Sequence, residues 1–230
     1  MSRLLRRWRN TFRGFRDSAT RLAIVMIASK PFSMIRDFHL ADWFTLANAL
    51  CGMGALFATM SYLQTSLVLH LYFACALIPL ALLFDVLDGR IARWRMASSA
   101  MGRELDSLAD VISFGVAPAA IAYACGMQGL FDQIALLFFV ASGVSRLARY
   151  NVTAEELSDG QGKVKYFEGT PIPTSLLLVV VLAIAVWQGA LAEHLWFGGR
   201  SVLGFQFHPL VLMFVLSGSL MISRIRIPKI

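Results

Sequence analysis

Apolar residues run in six long stretches along this chain, separated by short segments that carry the charge. The stretches lie near Phe44–Leu63, Leu67–Leu87, Leu108–Cys125, Leu130–Val144, Ile172–Leu191 and Leu203–Ile222. A hydrocarbon core about 30 Å thick takes about 20 residues of helix, so the pattern predicts membrane-crossing helices. The third and fourth stretches are shorter, and their helices are expected to run on past the apolar residues. Ahead of them, Leu4, Leu5, Trp8, Phe12 and Phe15 recur at helical spacing, with Arg6, Arg7, Arg9, Arg13 and Arg16 largely between. That is the pattern of an amphipathic helix lying in the membrane interface. The expected architecture is an all-α integral membrane protein. It has six transmembrane helices in residues 41–230, preceded by a basic interfacial arm in residues 1–40.

Composition agrees with this and charge orients it. Of 230 residues, 57% are hydrophobic and 15% charged, with a mean hydropathy of +0.65. A soluble domain is usually far more polar. The net charge is +7, and residues 1–40 supply that excess with nine Lys and Arg against Asp17 and Asp37. A basic arm leading into apolar spans suits anionic lipid head groups better than nucleic acid, which is not expected as a partner. Basic residues also fill alternate loops: Arg90, Arg93, Arg95 and Arg103, then Arg146, Arg149, Lys163 and Lys165, then Arg224, Arg226 and Lys229. The positive-inside rule therefore puts both termini on the cytoplasmic side. Cys51, Cys75 and Cys125 are far apart in apolar stretches and read as packing residues. Trp43, Trp187 and Trp196 suit interface anchors. Asp132 suits an interfacial charge on the opposite face, and the four histidines show no ligand spacing. The polar stretch Thr153–Gly169 reads as a loop, and Pro171 and Pro173 are placed to open the next helix.

The chemistry concentrates between spans two and three. Asp85 and Asp88 are three apart, and Asp106 and Asp110 are four apart. On a helix each spacing puts the pair on one face. A short loop joins the two helices, so the pairs can face each other at one depth. Four carboxylates so placed repel strongly in a low-dielectric setting, and a cation must compensate. Hard divalent cations do this well because they take several carboxylate oxygens at once. Two such ions can share carboxylates and clamp a diphosphate. Gly89, Ala92 and Gly102 would let a nucleotide approach the backbone, and Arg93 is placed to face phosphate.

The stretch reads Asp85-x-x-Asp88-Gly89-x-x-Ala92-Arg93, eight residues, then Gly102-x-x-x-Asp106-x-x-x-Asp110. It resembles the signature of the CDP-alcohol phosphatidyltransferases at every fixed position. The resemblance implies six transmembrane helices, a homodimer and two divalent cations, Mg²⁺ or Mn²⁺. It implies metal-ligand roles for Asp85, Asp88 and Asp106, and for Asp110 the roles of ligand and general base. Within that family, Asp106-Ser-Leu-Ala-Asp110-Val-Ile-Ser113-Phe-Gly115-Val-Ala-Pro118 resembles the phosphatidylserine synthase branch. So do Arg146-Leu-Ala-Arg149-Tyr-Asn151, Tyr166-Phe-Glu168-Gly169-Thr-Pro171-Ile-Pro173 and Thr45-Leu-Ala-Asn48-Ala-Leu-Cys51-Gly52. Before that last segment Ala41-Asp42 stands where the branch usually has Pro-Asn.

The expected reaction is transfer of a phosphatidyl group from CDP-diacylglycerol to L-serine with release of CMP, at the cytoplasmic side of the cell membrane. Arg146 and Arg149 are candidates for the serine carboxylate, Ser113 for a hydrogen bond to the acceptor, and Lys163 and Lys165 for the donor phosphates. The same signature admits other acceptors, such as glycerol phosphate, inositol phosphate or choline, and an archaeal-type ether-lipid donor. A carboxylate-dependent transporter would place acids mid-membrane, in broken helices or repeated halves. Here the acids cluster at one face and no internal repeat is visible.

Overall fold

The computed structural model describes residues 38–94, 100–158, 166–202, 205–223 and 225–228. The basic arm, with its expected interfacial helix, lies outside the described residues, as do Lys163 and Lys165. Helix α1 spans Leu40–Thr65 and α2 spans Val68–Trp94. Helix α3 (Ala100–Asp110) passes through a π-helical stretch, Val111–Val116, into α4 (Ala117–Ala124). Helix α5 is Leu130–Ser158, α6 is Leu176–Trp187 and α7 is Leu212–Met221. Short 3₁₀ turns, Ile172–Ser175 and Pro209–Val211, lead into the last two. Pro173 sits in the first of these turns, as its place in the sequence predicts.

Four of the described helical segments are long and apolar enough to cross a membrane: Leu40–Thr65, Val68–Ile91, Met101–Ala124 and Leu130–Val152. Ile172–Trp187 and Pro209–Met221 are apolar but shorter. At about 1.5 Å of rise per residue, the latter is about 20 Å long, less than a typical hydrocarbon core. The apolar run from Leu203 is not one helix. Phe205–Phe207 of that run form β3, which pairs antiparallel with β2 (Arg200–Val202). Pro209 then starts the helical turn, where a missing N–H costs nothing. A second ladder joins β1 (Tyr166–Glu168) to β4 (Arg226–Pro228). The stretch expected as a loop from Thr153 is helical up to Ser158, because its Ala and Glu residues are good helix formers.

The segment Met101–Ala124 is the centre of the bundle. Its most apolar window is 61% buried, against 28% for each of the first two spans. Large apolar side chains on the other helices face outward, among them Leu50, Phe57, Phe73, Leu137, Leu177 and Leu216. In water such a surface would be a liability; in lipid it is the required one. Inside, Phe114, Phe139 and Phe214 are fully buried, and Phe139 meets Phe214 edge-on at 5.2 Å.

Small residues set the closest helix approach. A Cβ built on Gly52 of α1 would lie 2.7 Å from Ser113 Cα in the π-helical stretch, so only glycine allows this contact. The slip into π register coincides with Gly115 and precedes Pro118, residues poorly suited to holding an α-helical ladder. There the N–H of Ala117 reaches the carbonyl of Ile112. Such stretches often mark functional positions, and this one begins immediately after Asp110.

Asp132 departs from the expected interfacial charge. It is fully buried, and its carboxylate contacts His208 Nδ1 at 2.6 Å. It also accepts from the backbone N–H of His208 at 2.8 Å and of Gly129 at 3.0 Å. The acid is thus a polar node that pins the chain just after β3 to the start of α5.

Candidate active site

Helices α1, α2 and α3 bring the acidic residues together. Asp85 and Asp88 lie near the end of α2; Asp106 and Asp110 lie in the second half of α3. One carboxylate oxygen from each of Asp85, Asp88 and Asp106 falls within 4.8 Å of the other two. Asp110 stands one helical turn beyond Asp106, outside that trio, and is 7% exposed. Asp88 is equally buried.

Two residues of α1 hold this arrangement, and sequence reasoning gave neither a site role. Thr45 Oγ1 donates to Asp88 Oδ2 at 2.7 Å, and Asn48 Nδ2 donates to Asp110 Oδ1 at 3.2 Å. Thr45 is 3% exposed and Asn48 is fully buried. They are three apart, so one face of α1 holds one carboxylate from each acidic pair. The available signal was two polar residues at helical spacing inside an apolar span; their partners, 43 and 62 residues away, carried no mark in the sequence.

The donor set fits a hard divalent cation. With one oxygen from each of Asp85, Asp88 and Asp106 within 4.8 Å of the others, three bare carboxylates repel one another here. Asp106 Oδ1 is buried without a hydrogen-bond partner. A buried carboxylate oxygen left so is costly unless a cation takes it. Oxygen-only ligands at this spacing suit Mg²⁺ or Mn²⁺ better than the softer metals that favour Cys and His.

The other sequence candidates occupy different places around this centre. Gly89 leaves room for Arg93: a Cβ on it would meet the guanidinium Nη1 at 3.6 Å. Arg93 is exposed at the end of α2, where its charge also complements the helix dipole. Ala92 lies in the same last turn, and Gly102 is half-buried near the start of α3. Ser113 is fully buried against Gly52, and its hydroxyl donates to the Ala109 carbonyl at 2.8 Å. Its donor is therefore committed within its own helix.

Arg146 and Arg149 are on α5, inside a helix rather than in a loop. Arg149 is exposed; Arg146 is half-buried, in the electrostatic neighbourhood of Asp110, with its Nε buried and unpartnered. Asn151 fastens this end of α5 to α3. Its amide donates to Ser107 Oγ at 3.0 Å and to Glu104 Oε1 at 3.3 Å. A separate cavity of about 540 Å³ lies where α1 and α4 end, lined by Tyr62, Ser66, Gln128, Glu193, Gln206 and His208 among others. None of the four aspartates lines it.

Fold and site together define an integral membrane protein with a carboxylate cluster, suited to divalent cations, between its first three long helices. Residues 38–217 match the profile of the CDP-alcohol phosphatidyltransferases. The chain belongs to that family, which fulfils the expectation drawn from the acidic signature. It is 46% identical over 202 residues to the CDP-diacylglycerol–serine O-phosphatidyltransferase of Saccharomyces cerevisiae, covering 86% of this chain and 73% of the yeast one. It is 37% identical over 188 residues to the enzyme of that name from Helicobacter pylori, covering 81% of this chain and 70% of the other. The Methanocaldococcus jannaschii enzyme of that name is 34% identical over 149 residues, covering 65% of this chain and 62% of the other.

Proposed function

We propose that this chain transfers the phosphatidyl group of CDP-diacylglycerol to L-serine, forming phosphatidylserine and CMP. The observation that carries the reading is the convergence of Asp85, Asp88 and Asp106, with Asp110 beside them, in a chain similar to three enzymes named for that reaction. Asp85, Asp88, Asp106 and Asp110 would hold two divalent cations, Mg²⁺ or Mn²⁺. When bound, such ions supply charge for the diphosphate of the donor and for the leaving phosphate.

The chain's own residues do the rest. Gly89, Ala92 and Gly102 keep space open beside the carboxylates for the cytidine, and Arg93 offers its guanidinium to phosphate. Asp110 takes the proton of the serine hydroxyl as its oxygen attacks the lipid-linked phosphorus. A bond forms between that oxygen and that phosphorus. The bond from the phosphorus to the diphosphate bridge breaks, and CMP leaves with the electron pair. Arg146 meets the serine carboxylate, with Arg149 as a second cation on the same helix. Ser113 lies where Gly52 lets α1 pack closely, and its hydroxyl stays on the Ala109 carbonyl.

The same reading extends to the whole chain. We place the active site and both termini on the cytoplasmic side of the cell membrane. Residues 41–230 form the catalytic domain, in which Ile172–Trp187 and Pro209–Met221 act as shorter fifth and sixth spans. Residues 1–40 form an arm on anionic lipid head groups, and two copies associate through outward apolar faces. The broad outward apolar surface of the long helices and the basic alternate loops support this arrangement.

Purified protein with CDP-diacylglycerol and Mn²⁺ is expected to release CMP when L-serine is added, and much less with glycerol phosphate, inositol phosphate or choline. Release that follows another alcohol and ignores serine would replace the acceptor while leaving the family chemistry in place.

A further inference from the structure

Asn48 uses half of its amide on Asp110, and the other half is idle. An ionised carboxylate only accepts hydrogen bonds, so the NH₂ side must face Asp110 and the carbonyl must point elsewhere. That carbonyl, Oδ1, is buried with no hydrogen-bond partner, on a side chain that is fully buried. A buried amide acceptor left alone is expensive, and such groups in native structures have a reason. Nearby, Arg146 Nε is a buried donor without a partner, also in the neighbourhood of Asp110. The surroundings of Asp110 thus hold one unfilled acceptor and one unfilled donor.

An amino acid alcohol fills both. Its hydroxyl goes to Asp110, its carboxylate takes the Arg146 donor, and its ammonium, which can only donate, needs an acceptor. Phosphorylated polyols carry hydroxyls, which both donate and accept, but no ammonium. We infer that Asn48 is the acceptor-selecting residue of the site: its Oδ1 receives the ammonium of the incoming amino alcohol while its Nδ2 orients the Asp110 carboxylate. The inference rests on the serine reading above and adds the feature that distinguishes serine from an acid lacking nitrogen.

The test compares L-serine with 3-hydroxypropionate, which keeps the hydroxyl and carboxylate and lacks the ammonium. CMP release by full-length protein in detergent with CDP-diacylglycerol and Mn²⁺ gives kcat/KM for each. Wild type is expected to prefer serine strongly. Hydrogen bonds to charged groups are worth enough that Asn48→Ala should cut this preference about 10- to 100-fold. The KM for CDP-diacylglycerol should change by less than about threefold. A general loss from a misplaced Asp110 would lower both acceptors alike and leave their ratio intact. A serine preference unchanged in Asn48→Ala would overturn the role of Asn48. No serine-stimulated release by wild type would instead remove the serine reading itself. If Asn48→Ala is not recovered folded, Asn48→Ser is judged by the same ratio, since its shorter side chain withdraws the carbonyl.

Discussion

Single residues decide the chemistry, and their legibility differed for a physical reason. The four aspartates were visible because three- and four-residue spacings announce a shared helix face in the sequence itself. Thr45 and Asn48 were not, because what makes them matter is a carboxylate on another helix. Asp132 was misplaced for the same reason: its partner His208 lies 76 residues away, and a lone acid near a span end reads as a surface charge. Asp110 carries the sharpest expectation at this scale. Replacing it with Asn keeps the shape and removes the proton acceptor. General acid–base contributions of about 10²–10⁴-fold set the expected fall in kcat for Asp110→Asn. Steady-state CMP release, with thermal unfolding to confirm a native fold, measures it; activity within a few-fold of wild type would reassign the base.

At the scale of elements, the apolar runs located the helices, and α5 runs on past its stretch as expected, whereas the extension of α2 was not foreseen. Helices α2 and α5 continue well past the last apolar residue of their runs. Those extensions carry Arg93 and Arg146, which therefore lie on helices and not in loops. The two antiparallel ladders escaped notice, since three-residue strands have too few positions to show alternation. The α1 contact with the π-helical stretch makes an element-level prediction. Gly52→Leu puts a side chain where Ser113 backbone already stands, and backbone cannot yield as a flexible side chain does. Overpacking of this kind costs about 1–3 kcal/mol, and it would also draw Asn48 away from Asp110. Thermal unfolding in detergent should show the loss of stability, with activity falling alongside. Gly54→Ala is the matched control, because its Cβ would meet only the tip of Leu77 at 3.2 Å. Equal tolerance of both changes would mean that the close approach at Gly52 is not needed.

For the molecule as a whole, composition and long apolar runs pointed to the membrane, and the acidic signature pointed to the family. Both follow from long-range averages or fixed spacing, which need no tertiary knowledge. The count of spans was harder, since the last apolar run mixes a β-strand with a short helix and hydropathy alone does not separate them. The carboxylate cluster makes a prediction for the entire fold: without cations, mutual repulsion near Asp85 and Asp106 is expected to weaken the packing of α2 on α3. Chelation should therefore abolish CMP release and lower the unfolding temperature, and Mn²⁺ or Mg²⁺ should restore both. A metal-independent unfolding temperature with metal-dependent activity would confine the ions to chemistry alone.

The pairing of Arg226–Pro228 with Tyr166–Glu168 bears on how the protein should be handled at the bench. The segment Tyr166–Glu168 leads directly to Gly169, whose backbone turns with φ +72° against Met221, and then to Ile172, which packs on Gly143. An affinity tag fused immediately after Ile230 would sit two residues from this ladder, and trimming the chain at Ser223 would remove one of its two strands. A flexible spacer ahead of such a tag keeps the ladder clear of the purification handle.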